Sequence, residues 1–310
     1  MQRFKNILVI PATPSADDAA LRRAIRLAGA NAARITLMWP LPQSADGGLE
    51  ADAGMIAGGV IAAVDQQLEE ALAPARAAGL PVRTAVRIGR PFIEVIREVV
   101  RGGHDLVMKT ARGSETALLF GSTALHLLRK CPCPVWIVNP APTPTAGTRA
   151  GVLAAVDTDT DDEKAIRLNR TIMELATSMA VLEQADLHVV HAWCVPHEEL
   201  IRLSPWLQAS RLEAYVKDSG ERQRARFAAL IEAFQHGGAA LVPHFVKGIP
   251  SEVIPALARK HNVEIVVMAT LAQTNVPGLL IGNTAEEVIN ELACSVLAIK
   301  PEGFVSPVAA

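Results

Sequence analysis

The residues best suited to bind a ligand stand at the start of a helix near the end of the chain. Gly282, Asn283 and Thr284 come just before an amphipathic stretch, so their backbone amides lie at a helix N-terminus, where partial positive charge attracts anions. A glycine at this place lets the backbone approach a phosphate closely. The alternative needs no ligand: Asn283, followed three residues later by Glu286, predicts a capping box. The sequence leaves both interpretations open.

Other residues with reactive side chains lack the partners that catalysis or metal binding requires. The Cys-Pro-Cys segment at 131–133 lacks the two-residue spacer of the redox motif, and no second pair of metal ligands accompanies it. We expect Cys133 and its counterpart Cys294 to be buried packing residues. His188 and His191 lie three apart on a predicted strand and point to opposite faces, so they form no metal pair. No metal site is predicted.

The enzyme motifs that a sequence can display are also missing. The chain contains no P-loop, no G-x-G-x-x-G and no G-x-S-x-G, and no nucleophile stands beside a base. We therefore predict no catalytic residues and no enzyme activity.

One segment occurs twice in the chain without a gap. Residues 121–140 match residues 282–301 at a constant offset of 161, with glycine on glycine and Cys133 on Cys294. Each copy predicts a turn, a helix and a short buried strand. The chain is therefore a tandem repeat, with predicted domains at 1–140 and 151–301, a proline-rich linker at 141–150 and a frayed tail at 302–310.

Strands and helices are predicted to alternate through both repeats. This order is typical of an α/β fold with doubly wound parallel sheets, whose ligand crevice lies beyond the carboxyl ends of the strands. The predicted strands lie at 7–10, 34–39, 82–88, 105–108, 152–156, 187–193, 241–246 and 264–268, with one more at the end of each repeated segment.

Two connections between these elements are longer than the rest. Residues 44–59 are rich in Gly, Ala and Asp and predict a loose connection before a helix that Gly79 ends. Residues 194–218 form an insertion before a helix predicted at 221–234. The apolar residues of the insertion predict a helix packed on the domain, and a lid over a ligand is the alternative.

Composition limits the class of protein. In 310 residues with a formal net charge of -2, nothing favours a nucleic-acid or membrane-surface partner by long-range attraction. No signal segment opens the chain, and no stretch reaches the roughly 18 apolar residues of a membrane span. Four cysteines fit a reducing compartment. We expect a soluble, cytoplasmic protein.

Six short phrases, three in each repeat, resemble the universal stress protein family in its tandem form. The resemblance implies a five-stranded, Rossmann-like sheet of the adenine nucleotide α-hydrolase type in each domain. It also implies an internal pseudo-dimer in which residues 134–138 pair with residues 295–299, and a role in surviving stress. The phrases are ALRRA at 20–24, GGHDLV at 102–107, HLLRKCP at 126–132, EVIP at 252–255, GNTAE at 282–286 and AIKP at 298–301.

The same resemblance implies a nucleotide pocket in the second repeat. Members of the family that bind nucleotide place an Asp after the first strand and wrap the phosphates in a G-x2-G-x9-G-[ST] loop. Here the loop keeps its spacing, but alanine replaces both early glycines and adds a methyl group where a phosphate oxygen would lie. A cap or turn is the structural alternative for the Asp. The candidate pocket consists of Asp157, Ala192, Ala269, Ala272, Gly282, Asn283 and Thr284.

The first repeat departs further from the family pattern. Ala12 stands where the Asp is expected, and the loop of Gly113, Gly121 and Ser122 is two residues short. We interpret this site as degenerate. Lys109 and Arg112 could attract an anion there, but a solvated surface charge is the preferred interpretation of both.

Three functional classes follow from the resemblance. The first is a stress protein that binds a small ligand or a protein partner and is not an enzyme. The second is a sensor that binds ATP or AMP in the second repeat, with at most slow ATP hydrolysis. The third is an enzyme that acts on an adenylate, for which no catalytic group is visible. No cofactor is certain, the partner is unidentified, and a homodimer is possible.

Overall fold

The structure, a computed structural model, describes residues 4–42, 52–111, 121–140, 150–195, 198, 209–270 and 282–308. These residues form two compact units. The first unit consists of the described residues within 4–140 together with 293–308. The second consists of the described residues within 150–292. Each unit is described by itself below.

Strands and helices alternate along the first unit. Its strands lie in the order β3-β2-β1-β4-β5-β10, and all neighbours are parallel except β5 and β10. The elements are β1 (Asn6–Ile10), α1 (Ala19–Asn31), β2 (Arg34–Leu41), α2 (Asp52–Ala71), α3 (Ala73–Ala77), β3 (Val82–Ile88), α4 (Pro91–Gly102), β4 (Leu106–Thr110), α5 (Ser122–Lys130), β5 (Val135–Val138) and β10 (Ser295–Ile299).

The final strand of the second repeat belongs to this first unit. Strand β10 runs antiparallel to β5, with Leu297 opposite Trp136. Both side chains are fully buried, and the backbone amide of Asn139 extends the pairing by donating to the Ser295 hydroxyl at 3.0 Å. The pairing of the two last strands that the family resemblance implied is thereby confirmed.

The second unit repeats the alternation with four parallel strands in the order β9-β6-β7-β8. The order along the sheet reverses direction between β6 and β9, so the carboxyl ends of these two strands define the point where a doubly wound sheet opens a crevice. The elements are β6 (Gly151–Ala155), α6 (Glu163–Leu182), β7 (Asp186–Trp193), α7 (Ala209–Phe234), β8 (Leu241–Lys247), α8 (Pro250–Lys260), β9 (Val263–Ala269) and α9 (Asn283–Glu291).

Apolar burial explains why these strands form. All five residues of β1, β4 and β10 are buried, as expected for central strands covered on both faces. The predicted α/β fold with a mostly parallel sheet is confirmed. Among the described residues, no helix is long and apolar enough to cross a membrane.

Two predicted boundaries were wrong because helices extend into segments expected to be irregular. Helix α2 begins at Asp52, within the segment 44–59 that was predicted as a loose connection; residues 43–51 lie outside the described ones. Helix α7 begins at Ala209, twelve residues before the predicted start at Glu221. The glycines inside these two helices do not end them, because an interior glycine costs only about 1 kcal/mol relative to alanine. The linker at 141–149 also lies outside the described residues.

Candidate functional site

The second unit brings several of the predicted pocket residues to one edge of its sheet. Asp157 follows the end of β6, where Ala155 lies opposite Met268 of β9. Ala269 ends β9, and the next residue, Thr270, accepts a hydrogen bond from the Gly282 amide at 2.9 Å. The start of α9 is thereby fixed directly beyond β9. Asp157, Ala269 and Gly282 thus share the edge where parallel strands end.

The start of α9 differs from the predicted capping box. The helix begins at Asn283, and the capping residue is Gly282, which is buried and has no side chain. The prediction that Asn283 caps the helix was wrong by one position, because the bond from Gly282 to Thr270 fixes where the chain turns. Asn283 and Thr284 are exposed in the first helical turn, where they are accessible to a ligand.

Asp157 is exposed, and its backbone is held tightly. The buried side chain of Asn169 on α6 accepts from the Asp157 amide at 3.1 Å and donates to its carbonyl oxygen at 2.5 Å. The Asp157 carboxylate accepts from the Asp159 amide at 3.0 Å. This is the turn geometry that an Asp side chain makes at the head of a helix. The carboxylate of Asp157 therefore makes the turn that was the alternative to ligand binding, and it is also exposed to solvent.

A buried chain of polar side chains supports this turn from the other side. His191 of β7 accepts at Nδ1 from the Thr158 amide at 3.4 Å, and its Nε2 lies 2.9 Å from Oε1 of Gln223. The Gln223 amide group donates to the Ser219 hydroxyl at 3.1 Å, so its oxygen faces His191. Nδ1 of His191 also lies 3.2 Å from the Val156 carbonyl oxygen. His191 is therefore a positioning residue. Asn169 and Gln223 were missed by the sequence analysis.

The remaining predicted pocket residues are alanines, which offer no polar side chain to a ligand. Ala192 is half-buried on β7 opposite Val246, and Ala269 is half-buried. Ala272 lies outside the described residues, so the structure does not place the first part of the predicted loop beside Asp157.

The corresponding edge of the first unit is occupied by a buried carboxylate. Asp18, which is 5% exposed, accepts from the Ala12 amide at 2.8 Å and from the Thr110 hydroxyl at 2.6 Å. It also caps α1 by accepting from the amides of Ala20 and Leu21 at 3.0 and 3.2 Å. The backbone at Ala12, where the family pattern calls for an Asp, is thus bonded within the chain.

The predicted loop residues of the first unit are only partly described. Gly121 and Ser122 are exposed at the start of α5, while Gly113 and Arg112 lie outside the described residues. Lys109 is buried, with its ammonium group donating to the Thr110 carbonyl at 2.9 Å. The interpretation of Lys109 as a solvated surface charge was wrong, because its position on the central strand β4 encloses it.

An open surface pocket that the sequence analysis did not assign, called the cavity below, lies between α7 and the ends of β7 and β8. Its volume is about 310 Å³. The rings of Trp193 and Phe245 form an aromatic wall, with centroids 5.8 Å apart and an interplanar angle of 28°. The Arg224 guanidinium lies 4.4 Å from the centre of the Phe245 ring. The other lining residues are Glu213, Val216, Lys217, Gly220 and Glu221.

Cys131 and Cys133 of the first unit are buried, as expected for Cys133. The sulfur atoms of Cys131 and Cys133 lie 3.6 Å apart as free thiols. The hydrogen bond that the Cys133 thiol donates to Cys131, together with burial, raises the pKa of Cys133 well above its usual value. Cys294 is half-buried and so differs from its counterpart. The hydrogen bonds that Cys131 accepts from Cys133 outweigh burial and lower the pKa of Cys131, so the two thiols of this buried pair differ in their pKa.

Comparison with known proteins agrees with the tandem repeat and the α/β fold described above. A family model described as universal stress protein family matches residues 3–139 and 151–300. Universal stress protein E of Escherichia coli (strain K12) is 34% identical over 235 residues, covering 74% of this chain and 72% of that protein. Its Salmonella typhi counterpart is 32% identical over 321 residues, covering 99% and 98%. A crystal structure from Pseudomonas aeruginosa UCBPP-PA14, assigned to the universal stress proteins, has a TM-score of 0.69 and 26% identity, covering 97% of this chain and 95% of that one.

Proposed function

Since the chain belongs to the universal stress protein family, we propose that it supports survival under stress by binding a small ligand in its second unit rather than by catalysis. The observation that carries this proposal is the cavity beside α7, with its aromatic wall of Trp193 and Phe245. We place this activity in the cytoplasm, because the four cysteines of the chain, all among the described residues, form no disulfide in the structure, as is usual in a reducing compartment.

The chemistry of the cavity defines the class of ligand. Stacked aromatic rings bind a flat apolar group, and the guanidinium over Phe245 adds a cationic donor beside it. Lys217, Glu213 and Glu221 supply charges of both signs at the rim. Ligand pockets commonly combine apolar walls with a few such polar groups. The ligand we propose is a small amphipathic molecule with a planar part and an anionic or polar end.

We predict that closing the cavity removes a ligand carried through purification. In Val216→Trp, the larger side chain fills the space between α7 and β8; in Arg224→Ala, the cation over Phe245 is lost. Native mass spectrometry of the wild-type chain should show a bound small molecule, with occupancy reduced on the order of tenfold in both variants. Arg222→Ala, which removes an exposed arginine outside the cavity, is the matched control and should keep the ligand.

Two results would count against this proposal. One is a wild-type chain that carries no small molecule and shows no change in hydrogen exchange of α7 or β8 when incubated with a metabolite extract. The other is a ligand whose occupancy is the same in the wild-type chain and in both cavity variants.

A second candidate function is nucleotide binding at the edge that carries Asp157. The observation in its favour is that the exposed carboxylate of Asp157 and the exposed start of α9 lie at one edge of the sheet, where a helix N-terminus suits phosphate. Against it stand the alanines at 269 and 272, because the loop of nucleotide-binding members has glycine at both positions and alanine adds a methyl group to each. In this alternative the chain is an ATP or AMP sensor with at most slow hydrolysis.

Calorimetry with ATP and AMP separates the two functions. The cavity proposal predicts no saturable heat at millimolar nucleotide and no phosphate release above background. The sensor alternative predicts binding near one per chain that weakens on the order of tenfold in Asp157→Ala, as expected when one charged hydrogen-bond partner is lost. Asp161→Ala removes the same charge from an exposed ion pair with Arg226 and is the matched control.

A further inference from the structure

Three histidines of the second unit, distant in sequence, meet on one face of its sheet. His188 lies on β7, His244 on β8, and His261 directly after α8. Val190 is paired with His244, so His244 points to the same face as Val190 and therefore as His188. His191 points to the opposite face, where it contacts Gln223. The cluster formed by His188, His244 and His261 is thus separate from the polar chain beneath Asp157.

The imidazoles of this histidine cluster are close enough to share a ligand. Nδ1 of His188 lies 3.0 Å from Nε2 of His244. The ring of His261 has its centre 4.4 Å from that of His188 and 5.0 Å from that of His244. One nitrogen atom from each ring lies within 4.8 Å of the other two. Tetrahedral zinc with bonds of about 2.1 Å separates its nitrogen ligands by about 3.4 Å, so small ring rotations reach that geometry.

The surroundings of the cluster are shaped to admit the three rings. Gly151, at the start of β6, has no side chain, and a Cβ atom there would lie 3.3 Å from the His188 ring and 3.1 Å from the His261 carbonyl oxygen. Nε2 of His261 is buried and has no hydrogen-bond partner among the described residues. A buried imidazole nitrogen without a partner is unusual in proteins, and a metal ion would supply the missing interaction.

The protonation state also suits metal binding. Burial lowers the pKa of His188, and burial together with the neighbouring His188 and His261 lowers the pKa of His244 to about 4. Both rings are therefore neutral at pH 7, which is the form that coordinates metal ions.

We propose that His188, His244 and His261 form a binding site for a divalent transition-metal ion of the Zn²⁺ type. Neutral imidazole is a preferred ligand of zinc, and three protein ligands leave a fourth position for water. The ion would link β7, β8 and the end of α8, which places it among the elements that support the cavity beside α7. An ion that binds the folded chain and not the unfolded chain would raise the thermal stability of the protein. The site is independent of the proposed ligand function.

Titration of the chelator-treated full-length chain with Zn²⁺ tests the proposal. We expect one tightly bound ion per chain, measured by competition with a chromophoric chelator and by elemental analysis, with a rise in melting temperature. Affinity should fall on the order of 100-fold in His244→Gln and in His261→Gln, since each removes a ligand. His236→Gln, which changes an exposed histidine of the same unit outside the cluster, should bind as the wild-type chain does.

Co²⁺ in place of Zn²⁺ distinguishes imidazole from thiolate ligands. The proposal predicts tetrahedral d–d bands without a sulfur-to-cobalt charge-transfer band, and these d–d bands should disappear in His261→Gln while its circular dichroism stays that of the wild-type chain. A charge-transfer band lost in Cys131→Ser would instead place the metal on the cysteines. That result, equal affinity in all the histidine variants, or no metal binding by the wild-type chain would overturn the proposal.

Discussion

Replacing Asp18 with alanine is expected to lower the free energy of unfolding of the first unit by about 3 kcal/mol. Loss of a helix cap alone costs about 1 kcal/mol. The substitution also leaves the Ala12 amide and the Thr110 hydroxyl without their acceptor, and each unsatisfied buried donor adds about 1 kcal/mol or more.

Urea-induced unfolding, monitored by hydrogen exchange in peptides from β1 and α1, measures this loss of free energy of unfolding. Asp17→Ala removes a neighbouring but exposed carboxylate and should change the free energy of unfolding by less than about 0.5 kcal/mol. Equal effects of the two substitutions would show that the bonds of Asp18 contribute nothing. The expected difference would show that the buried carboxylate of Asp18 stabilises the end of β1 and the start of α1 in the first unit.

The stability of the chain is also expected to rise with pH through the titration of Lys300. Its side chain is buried, and its ammonium group donates to the Leu128 carbonyl and lies 5.1 Å from the centre of the Phe304 ring. Burial lowers the pKa of Lys300 from 10.5 to about 8. Between these two pH values the unfolded chain binds more protons than the folded one, so raising the pH favours the folded state. This difference in pKa between the unfolded and folded chain corresponds to about 3 kcal/mol in the free energy of unfolding.

Comparison with Lys300→Met isolates this contribution from other titrating groups. The free energy of unfolding of the wild-type chain, minus that of the variant, should increase by about 3 kcal/mol between pH 7 and pH 11. Lys164→Met changes an exposed lysine, and its difference from the wild-type chain should not vary with pH. A pH-independent difference for Lys300→Met would show that Lys300 keeps the pKa of an exposed lysine.

Much of the fold could be predicted from the sequence because it depends on local patterns. Buried central strands are continuous apolar runs, so β1 and β10 were found within one residue of their bounds, and the repeated segment revealed the tandem organisation. The family resemblance supplied the pairing of β5 with β10. The positions of Asp157 and Gly282 at one edge followed from the rule that parallel strands end together.

Helix boundaries were less predictable, because tertiary packing outweighs local preference. The second helix of the second unit was predicted to begin at Glu221, but Gly220 lies inside α7, where a Cβ atom would approach the Trp193 ring to 2.8 Å. The glycine is there for close packing of the helix on β7. The cap at Gly282 was likewise decided by a hydrogen bond to Thr270, twelve residues earlier in the chain.

By itself, the sequence determined the α/β class, the two repeats, the strands and the edge on which a ligand site was expected. Only the tertiary structure joined Asp18 to Thr110 and brought His188, His244 and His261 together. These groups come from different strands and helices, and their meeting depends on strand register and on where each helix packs. A shift of one residue in register would turn His244 to the other face of the sheet. No local pattern in the chain specifies that register, because it is set by the burial of all the strands together.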